Sequence, residues 1–122
     1  MKVMVVDDER DVELLFRQRF RKELREGIVE FYFAFSGDEA LDFLHSLKTP
    51  DIVLILSDIN MPGMTGLELL KTVKTDFAHL RVCMITAYSD ERNYKTAMDY
   101  GADEYLTKPL DFEKLKKDVF AL

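Results

Sequence analysis

The sequence predicts an α/β domain: a single doubly wound, five-stranded parallel sheet with five helices on both faces. Two observations carry that expectation. Five short apolar runs alternate with five stretches of helical spacing along the 122 residues, and strict strand–helix alternation is the pattern of parallel strands joined by right-handed crossovers. Several of the runs are also continuous in Val, Ile and Leu, as strands covered on both faces require.

The strands are predicted over residues 3–6, 28–35, 52–56, 82–86 and 104–107. The first helix is expected to begin near Glu9, with Val12, Leu15, Phe16, Phe20 and Leu24 as a stripe at three- and four-residue intervals. Leu14 falls about 160° from the centre of that stripe at ~100° per residue, so it is either a casually exposed leucine or part of a partner surface. Ser36-Gly37-Asp38-Glu39 opens the second helix as a capping box, in which the serine and glutamate side chains satisfy each other's free backbone donors. Thr65-Gly66-Leu67-Glu68 is the same device for the third. The fourth is expected over 89–100, with Gly101 ending it in the left-handed conformation. The fifth starts at Asp111, where Leu110 and Leu115 are spaced as a hydrophobic staple. Phe31, Phe33 and Phe35 alternate along the second strand and read as core.

Composition narrows the functional classes. A net charge of −6, from 23 acidic and 17 basic residues, argues against direct, tight binding to nucleic acid. The apolar start, Met1 to Val6, is too short for a signal peptide, and nothing approaches a membrane span. A cytoplasmic protein without a membrane partner is expected. The single cysteine, Cys83, sits in the run Val82-Cys83-Met84-Ile85 and reads as a buried thiol, consistent with a reducing compartment. One domain over 1–122 is expected, without repeats or linkers; the ending at Leu122 fits either a natural terminus or a piece of a longer protein.

Ligands of open parallel sheets bind beyond the carboxyl ends of the strands. The predicted loops carry Asp7, Asp8 and Glu9 to that edge after the first strand and Asp58 after the third. Thr86 and Ala87 arrive with the fourth strand, and Lys108 follows the fifth. Two unit charges ~5 Å apart repel by roughly 3 kcal/mol at an effective dielectric of ~20. Acids crowded so on one edge therefore call for a cation. Oxygen ligands in small number favour Mg²⁺ or Mn²⁺ over zinc, and Lys108 offsets part of the repulsion. Singly, each residue has a plain explanation: acids cap helices, an aspartate starts a turn, a lysine is solvated. Their joint placement argues for a site. His45 and His79 fall away from this edge and read as surface or packing residues. The basic cluster Arg17, Arg19, Arg21, Lys22 and Arg25 reads as a solvated helix end or a docking face.

Four motifs, in order along the chain, carry a resemblance. They are Val5-Val6-Asp7-Asp8-Glu9, Ser57-Asp58-Ile59-Asn60-Met61-Pro62-Gly63-Met64-Thr65-Gly66, Met84-Ile85-Thr86-Ala87 and Tyr105-Leu106-Thr107-Lys108-Pro109-Leu110. Together they resemble bacterial two-component response-regulator receiver domains of the chemotaxis-regulator type. The resemblance implies a flavodoxin-like sheet of order 2-1-3-4-5. It implies that Asp58 accepts a phosphoryl group, and that Asp8, Asp58 and the Asn60 backbone carbonyl bind Mg²⁺ while Asp7 acts through a water. Lys108 would pair with a phosphoryl oxygen, and the backbone N–H groups of Ala87 and Asn60 would contact others. Thr86 would swing its hydroxyl toward the phosphoryl group and Tyr105 would turn inward, changing the face formed by the fourth helix, fifth strand and fifth helix. The Lys108–Pro109 bond would be cis, and Asn60 and Tyr88 would influence the phosphoryl lifetime. A switch rather than an enzyme is implied, catalysing only its own aspartyl phosphorylation and dephosphorylation. Its implied partners are a histidine kinase or histidine-phosphotransfer protein, which in this family commonly meets the first helix, and a downstream protein or output domain. A monomer or a phosphorylation-dependent dimer would serve.

Three rivals share parts of this pattern. An FMN carrier needs a glycine- and hydroxyl-rich phosphate loop after the first strand, where Asp7-Asp8-Glu9-Arg10-Asp11 would repel a phosphate. A haloacid-type phosphohydrolase carries its nucleophile after the first strand, with a second acid two residues on; here Asp58 follows the third and Asn60 stands two beyond it. A receiver fold used only as a protein-binding module is disfavoured by the intact acid set.

Overall fold

Side chains along the central strands alternate between two apolar clusters, one on each face of the sheet, which is why these strands read as unbroken apolar runs. Met4, Val6, Ile55, Val82 and Met84 point to one cluster; Val3, Val5, Leu54, Leu56, Cys83 and Ile85 point to the other. The computed structural model describes residues 1–47, 51–88 and 90–122. Its strands are β1 (Lys2–Val6), β2 (Glu30–Ala34), β3 (Leu54–Asp58), β4 (Arg81–Thr86) and β5 (Glu104–Thr107). They form one parallel sheet in the order β2-β1-β3-β4-β5, as expected. Against the first cluster pack α3 (Gly37–Ser46), α4 (Gly66–Asp76) and α5 (Glu91–Asp99) through Ala40, Leu44, Leu69, Leu70, Val73 and Ala97. The second cluster is closed by α1 (Asp11–Arg19), α2 (Arg21–Arg25), α6 (Phe112–Lys114) and the π-helical turn Leu115–Val119.

Several boundaries differ from the sequence reading, each for a reason of pairing or packing. β3 lies two residues later than the run 52–56. Ser57 and Asp58 stay in the ladder, Ser57 opposite Val6 and Met84 and Asp58 opposite Ile85. Neighbouring strands set a ladder's extent; hydropathy does not. β2 is shorter than 28–35 because β1 offers five partners, Lys2 through Val6. Phe35 consequently leaves the strand and lies half-buried, with the Arg10 guanidinium 4.2 Å above its ring; Phe31 and Phe33 do join the core.

The predicted first helix starts at Asp11 and is broken at Phe20 (φ −107°, ψ 22°), so the described residues hold six α-helical segments where five were expected. Hydrogen bonds from Phe20 N to Phe16 O (2.9 Å) and from Leu24 N to Phe20 O (2.8 Å) carry its direction across the break. Phe16 and Phe20 are buried, whereas Leu15 lies partly exposed and Leu14 is 70% exposed. Of the two predicted capping boxes, the one at Thr65 is complete and the one at Ser36 shows only its first half. Ser36 Oγ accepts from Glu39 N (3.0 Å), and Thr65 and Glu68 exchange the full reciprocal pair. α5 starts at Glu91, capped by Asp90, whose Oδ1 accepts from Asn93 N (2.7 Å); the expected first residue, Ser89, lies outside the described residues. Gly101 has φ +94°, the left-handed stop that a side chain would resist. The last helix is one α turn from the Asp111 cap before it widens, Phe120 N donating to Leu115 O at 3.0 Å. Leu110 and Leu115 meet in the same cluster, as a staple does. Cys83 is fully buried in β4, and burial, followed by the nearby Glu104 carboxylate, pushes its thiol up to about 12. Among the described residues no helix is long and apolar enough to cross a membrane.

Candidate functional site

The carboxyl edge of the sheet gathers the residues that the loops promised. Asp7 and Asp8 follow β1, Asp58 ends β3, Thr86 ends β4 and Lys108 follows β5. Asp7, Asp8 and Asp58 each present a carboxylate oxygen, all within 4.8 Å of one another. Asp7 and Asp58 are 6% and 8% exposed, while Asp8 faces solvent. Glu9 does not join them. Its N–H turns back to Asp7 Oδ1 at 2.9 Å, shaping the loop, and the Asp7 N–H is anchored on Ala34 O at 3.1 Å.

Lys108 is the cation facing this cluster. Its backbone N–H donates to Thr86 O (2.8 Å), and the Lys108–Pro109 peptide is cis, as expected. Its Nζ lies 3.3 Å from Asp7 Oδ2 and 3.8 Å from Asp58 Oδ2. The ammonium thus pairs more closely with Asp7 than with Asp58. Burial, and after it the charge of Asp7, raises the Asp58 carboxyl to about 6, although Lys108 pulls the other way. Burial works against the charge of Lys108, but Asp7 and Asp58 outweigh it and leave its pKa raised. Three carboxylates against one ammonium, with oxygen donors only, fit a small hard divalent cation and do not suit zinc.

Thr86, fully buried, donates its hydroxyl to Tyr88 O (3.0 Å) and accepts from Tyr88 N (3.1 Å), so it is held by its own loop. Ala87, next along that loop, is exposed. The Asn60 side chain is exposed, and its backbone leaves an anchored neighbour: Ile59 N donates to Ile85 O at 3.0 Å. Tyr105 lies opposite Met84 in the ladder, and its ring meets Tyr94 edge-on at 5.2 Å. Its buried hydroxyl has no hydrogen-bond partner among the described residues. Burial, and then the charge of Asp90, raises its pKa.

Two neighbours escaped the sequence reading. Ser57 Oγ donates to the Asp58 carbonyl at 3.0 Å; a polar residue inside an apolar run, next to the acid, was its signal. Tyr94 gave none, since its contact joins a helix to a distant strand. A cavity of about 520 Å³ opens beside Asp58 and Lys108 and is walled by Val12, Leu15, Leu110 and Phe112. His45 lies away from this edge, 3.3 Å from Asp76 across α3 and α4, and His79 is exposed. Of the basic cluster, Arg17 pairs with Glu13, Arg17 and Arg19 lie over Phe33 and Phe112, and Arg21, Lys22 and Arg25 are exposed.

Comparison with known proteins converges on this arrangement. Residues 3–120 match the family model of the response regulator receiver domain. Sporulation initiation phosphotransferase F of Bacillus subtilis (strain 168) is 33% identical over 118 residues, which cover 97% of this chain and 90% of that protein. A CheY-like response regulator receiver domain protein from Methanospirillum hungatei JF-1 superposes with a TM-score of 0.85 at 25% identity, covering 98% of this chain and 90% of that one. The response regulator TrrA of Thermotoga maritima, solved in complex with Mg²⁺-BeF, gives 0.79 at 32% identity over 98% and 96% of the two chains. The match runs through both core clusters and is not confined to the acidic edge: this chain belongs to the response regulator receiver domain family.

Proposed function

We propose that this chain is a phosphorylation-activated switch of a two-component system, and that Asp58 is its phosphoacceptor. The observation that carries the reading is the surplus of negative charge at one edge, where Asp7, Asp8 and Asp58 crowd together and Lys108 pairs with Asp7 and Asp58 alone. A fold keeps such a surplus where a cation and a transferred group complete it. Asp8, Asp58 and the Asn60 carbonyl are assigned as direct Mg²⁺ ligands and Asp7 as a ligand through water; Mn²⁺ would suit the same oxygens. The Mg²⁺–beryllofluoride complex of a relative supports this.

When bound, the metal supplies positive charge for the carboxylate and phosphoryl oxygens. The protein's own groups do the rest. An oxygen of the Asp58 carboxylate attacks the phosphorus of a phosphohistidine, the P–N bond breaks, and its electron pair leaves with the imidazole. Lys108 exchanges Asp7 for a phosphoryl oxygen, and the N–H groups of Ala87 and Asn60 face the others. The new charge draws the Thr86 hydroxyl away from Tyr88, and Tyr105 follows, altering the face built from α5, β5 and α6. The Tyr105 hydroxyl, buried without a partner among the described residues, supports this, because a buried orphan donor gains by moving to a partner.

The donor is a histidine kinase or a histidine-phosphotransfer protein. Exposed Leu14, the basic end of the first helix and the neighbouring cavity suit it as a docking face. The reader is a downstream protein or an output domain, met by a monomer or by a dimer that phosphorylation assembles. Intact mass after incubation with acetyl phosphate and Mg²⁺ tests the core of this. Wild type should gain one labile phosphoryl group only with Mg²⁺, and Asp58→Asn should gain none. A wild type that neither takes the group nor binds beryllofluoride would leave a receiver-shaped binding module.

A further inference from the structure

Gly66 opens α4, in the loop region beyond the acids, and its conformation does not explain it. It is absent from the glycines with left-handed φ, which are Gly27, Gly63 and Gly101. Space explains it. A Cβ at this position would overlap the Asp58 carbonyl oxygen and would lie 2.8 Å from both the Asp58 carbonyl carbon and Ile59 Cα. Ordinary contacts between such atoms fall at about 3.5 Å, and all three atoms are backbone, so no rotamer change could relieve the overlap. Gly37 is instructive by contrast. A Cβ there would meet only the Met64 side chain, nearest at Sδ 2.8 Å away, and a flexible thioether can move aside.

The peptide resting on Gly66 is the one that joins Asp58 to Ile59. It is held from several sides. Ser57 Oγ donates to its carbonyl oxygen (3.0 Å), its N–H donates to Ile85 O (3.0 Å), and Gly66 N donates to Ile59 O (2.8 Å). The Asp58 carboxylate hangs from one end of this peptide, and the chain leading to Asn60 leaves from the other. We infer that Gly66 is a positioning residue for the site: its bare Cα is the seat that fixes the Asp58–Ile59 peptide, and so the Asp58 carboxylate relative to the Asn60 backbone. This rests on the reading of Asp58 and Asn60 as Mg²⁺ ligands. Gly66 touches neither metal nor phosphoryl group, and acts through the backbone that it supports.

Mg²⁺ titration followed by backbone amide NMR, with melting temperatures measured alongside, tests the seat. Gly66→Ala should bind Mg²⁺ at least tenfold more weakly than wild type. Gly37→Ala and Val73→Ala should stay within twofold of it; the latter opens a core defect in the same helix and serves as the comparison for lost stability. Gly66→Ala binding within twofold of Val73→Ala would overturn the inference. If Gly66→Ala does not accumulate folded in buffer, the titration is run in trimethylamine N-oxide, which favours the compact state, with Val73→Ala again as the reference. A loss of Mg²⁺ affinity of at least tenfold there would support the seat, and binding within twofold of Val73→Ala would overturn it. A wild type without Mg²⁺ affinity would instead remove the reading on which the inference stands.

Discussion

The two ends of the sheet handle charge in opposite ways. At the amino ends of the strands, cations and anions are matched. Lys2 pairs with Asp51, and Lys74 donates to Asp103 (2.8 Å) and to Leu80 O (2.7 Å), while Asp103 also accepts from Val82 N (2.8 Å). At the carboxyl ends, three aspartates crowd together and Lys108 reaches two of them, Asp7 and Asp58. One end balances its charges on folding; the other is left with a surplus of negative charge. Exposed pairs of the first kind contribute little to stability, whereas crowded carboxylates of the second kind destabilise until a cation arrives.

That contrast can be broken most sharply at Asp58. Its folded-state value of about 6 lies above the ordinary 3.8, so between those pH values the folded protein binds more protons than the unfolded chain. The favourable contribution is complete below pH 4 and is lost as pH rises through 6. In chelator at pH 7.5, Asp58→Asn should therefore be more stable than wild type by up to about 3 kcal/mol, and the gap should close toward pH 4. Urea melts of both proteins across that range check it; a destabilised variant at pH 7.5 would mean that the carboxylate holds the fold together. Next comes the metal. Mg²⁺ at 100 times its dissociation constant should add about 2.7 kcal/mol, roughly 10 °C in melting temperature, and Asp8→Asn should erase the gain in scanning calorimetry. Smaller effects belong to the matched end. Lys74→Met should cost about 1–2 kcal/mol through its two lost hydrogen bonds, and Lys2→Ala should leave the melting temperature where it was. Both should respond to Mg²⁺ as wild type does, and a blunted response in either would dissolve the distinction between the ends.

Much of this was legible in the chain because it is written locally. Parallel strands covered on both faces appear as apolar runs, and caps such as Thr65 and Glu68 lie three residues apart. The acids Asp7, Asp8 and Asp58 needed only the rule that ligands sit beyond carboxyl ends. What stayed hidden depends on partners far along the sequence. β3 runs on through polar Ser57 and Asp58 because β1 and β4 pair with them. Phe20 keeps the helical stripe yet breaks the helix, and Phe112, Leu115 and Val119 keep a helical spacing through a turn that widens to i→i+5. Likewise, nothing in the sequence gives Lys108 to Asp7 over Asp58, or the Thr86 hydroxyl to the backbone of Tyr88.

The buried thiol of Cys83 turns the protein into its own clock. It sits on an interior strand of the sheet, beyond the reach of solvent, and stays protonated at physiological pH. Such a sulfur neither senses oxidants nor meets an alkylating reagent until β4 is exposed. In excess reagent, its labelling rate therefore counts openings of the sheet one molecule at a time. A metal that binds only the closed form should slow that count in proportion to its occupancy, giving a covalent record of ligand binding at an edge that the cysteine never touches.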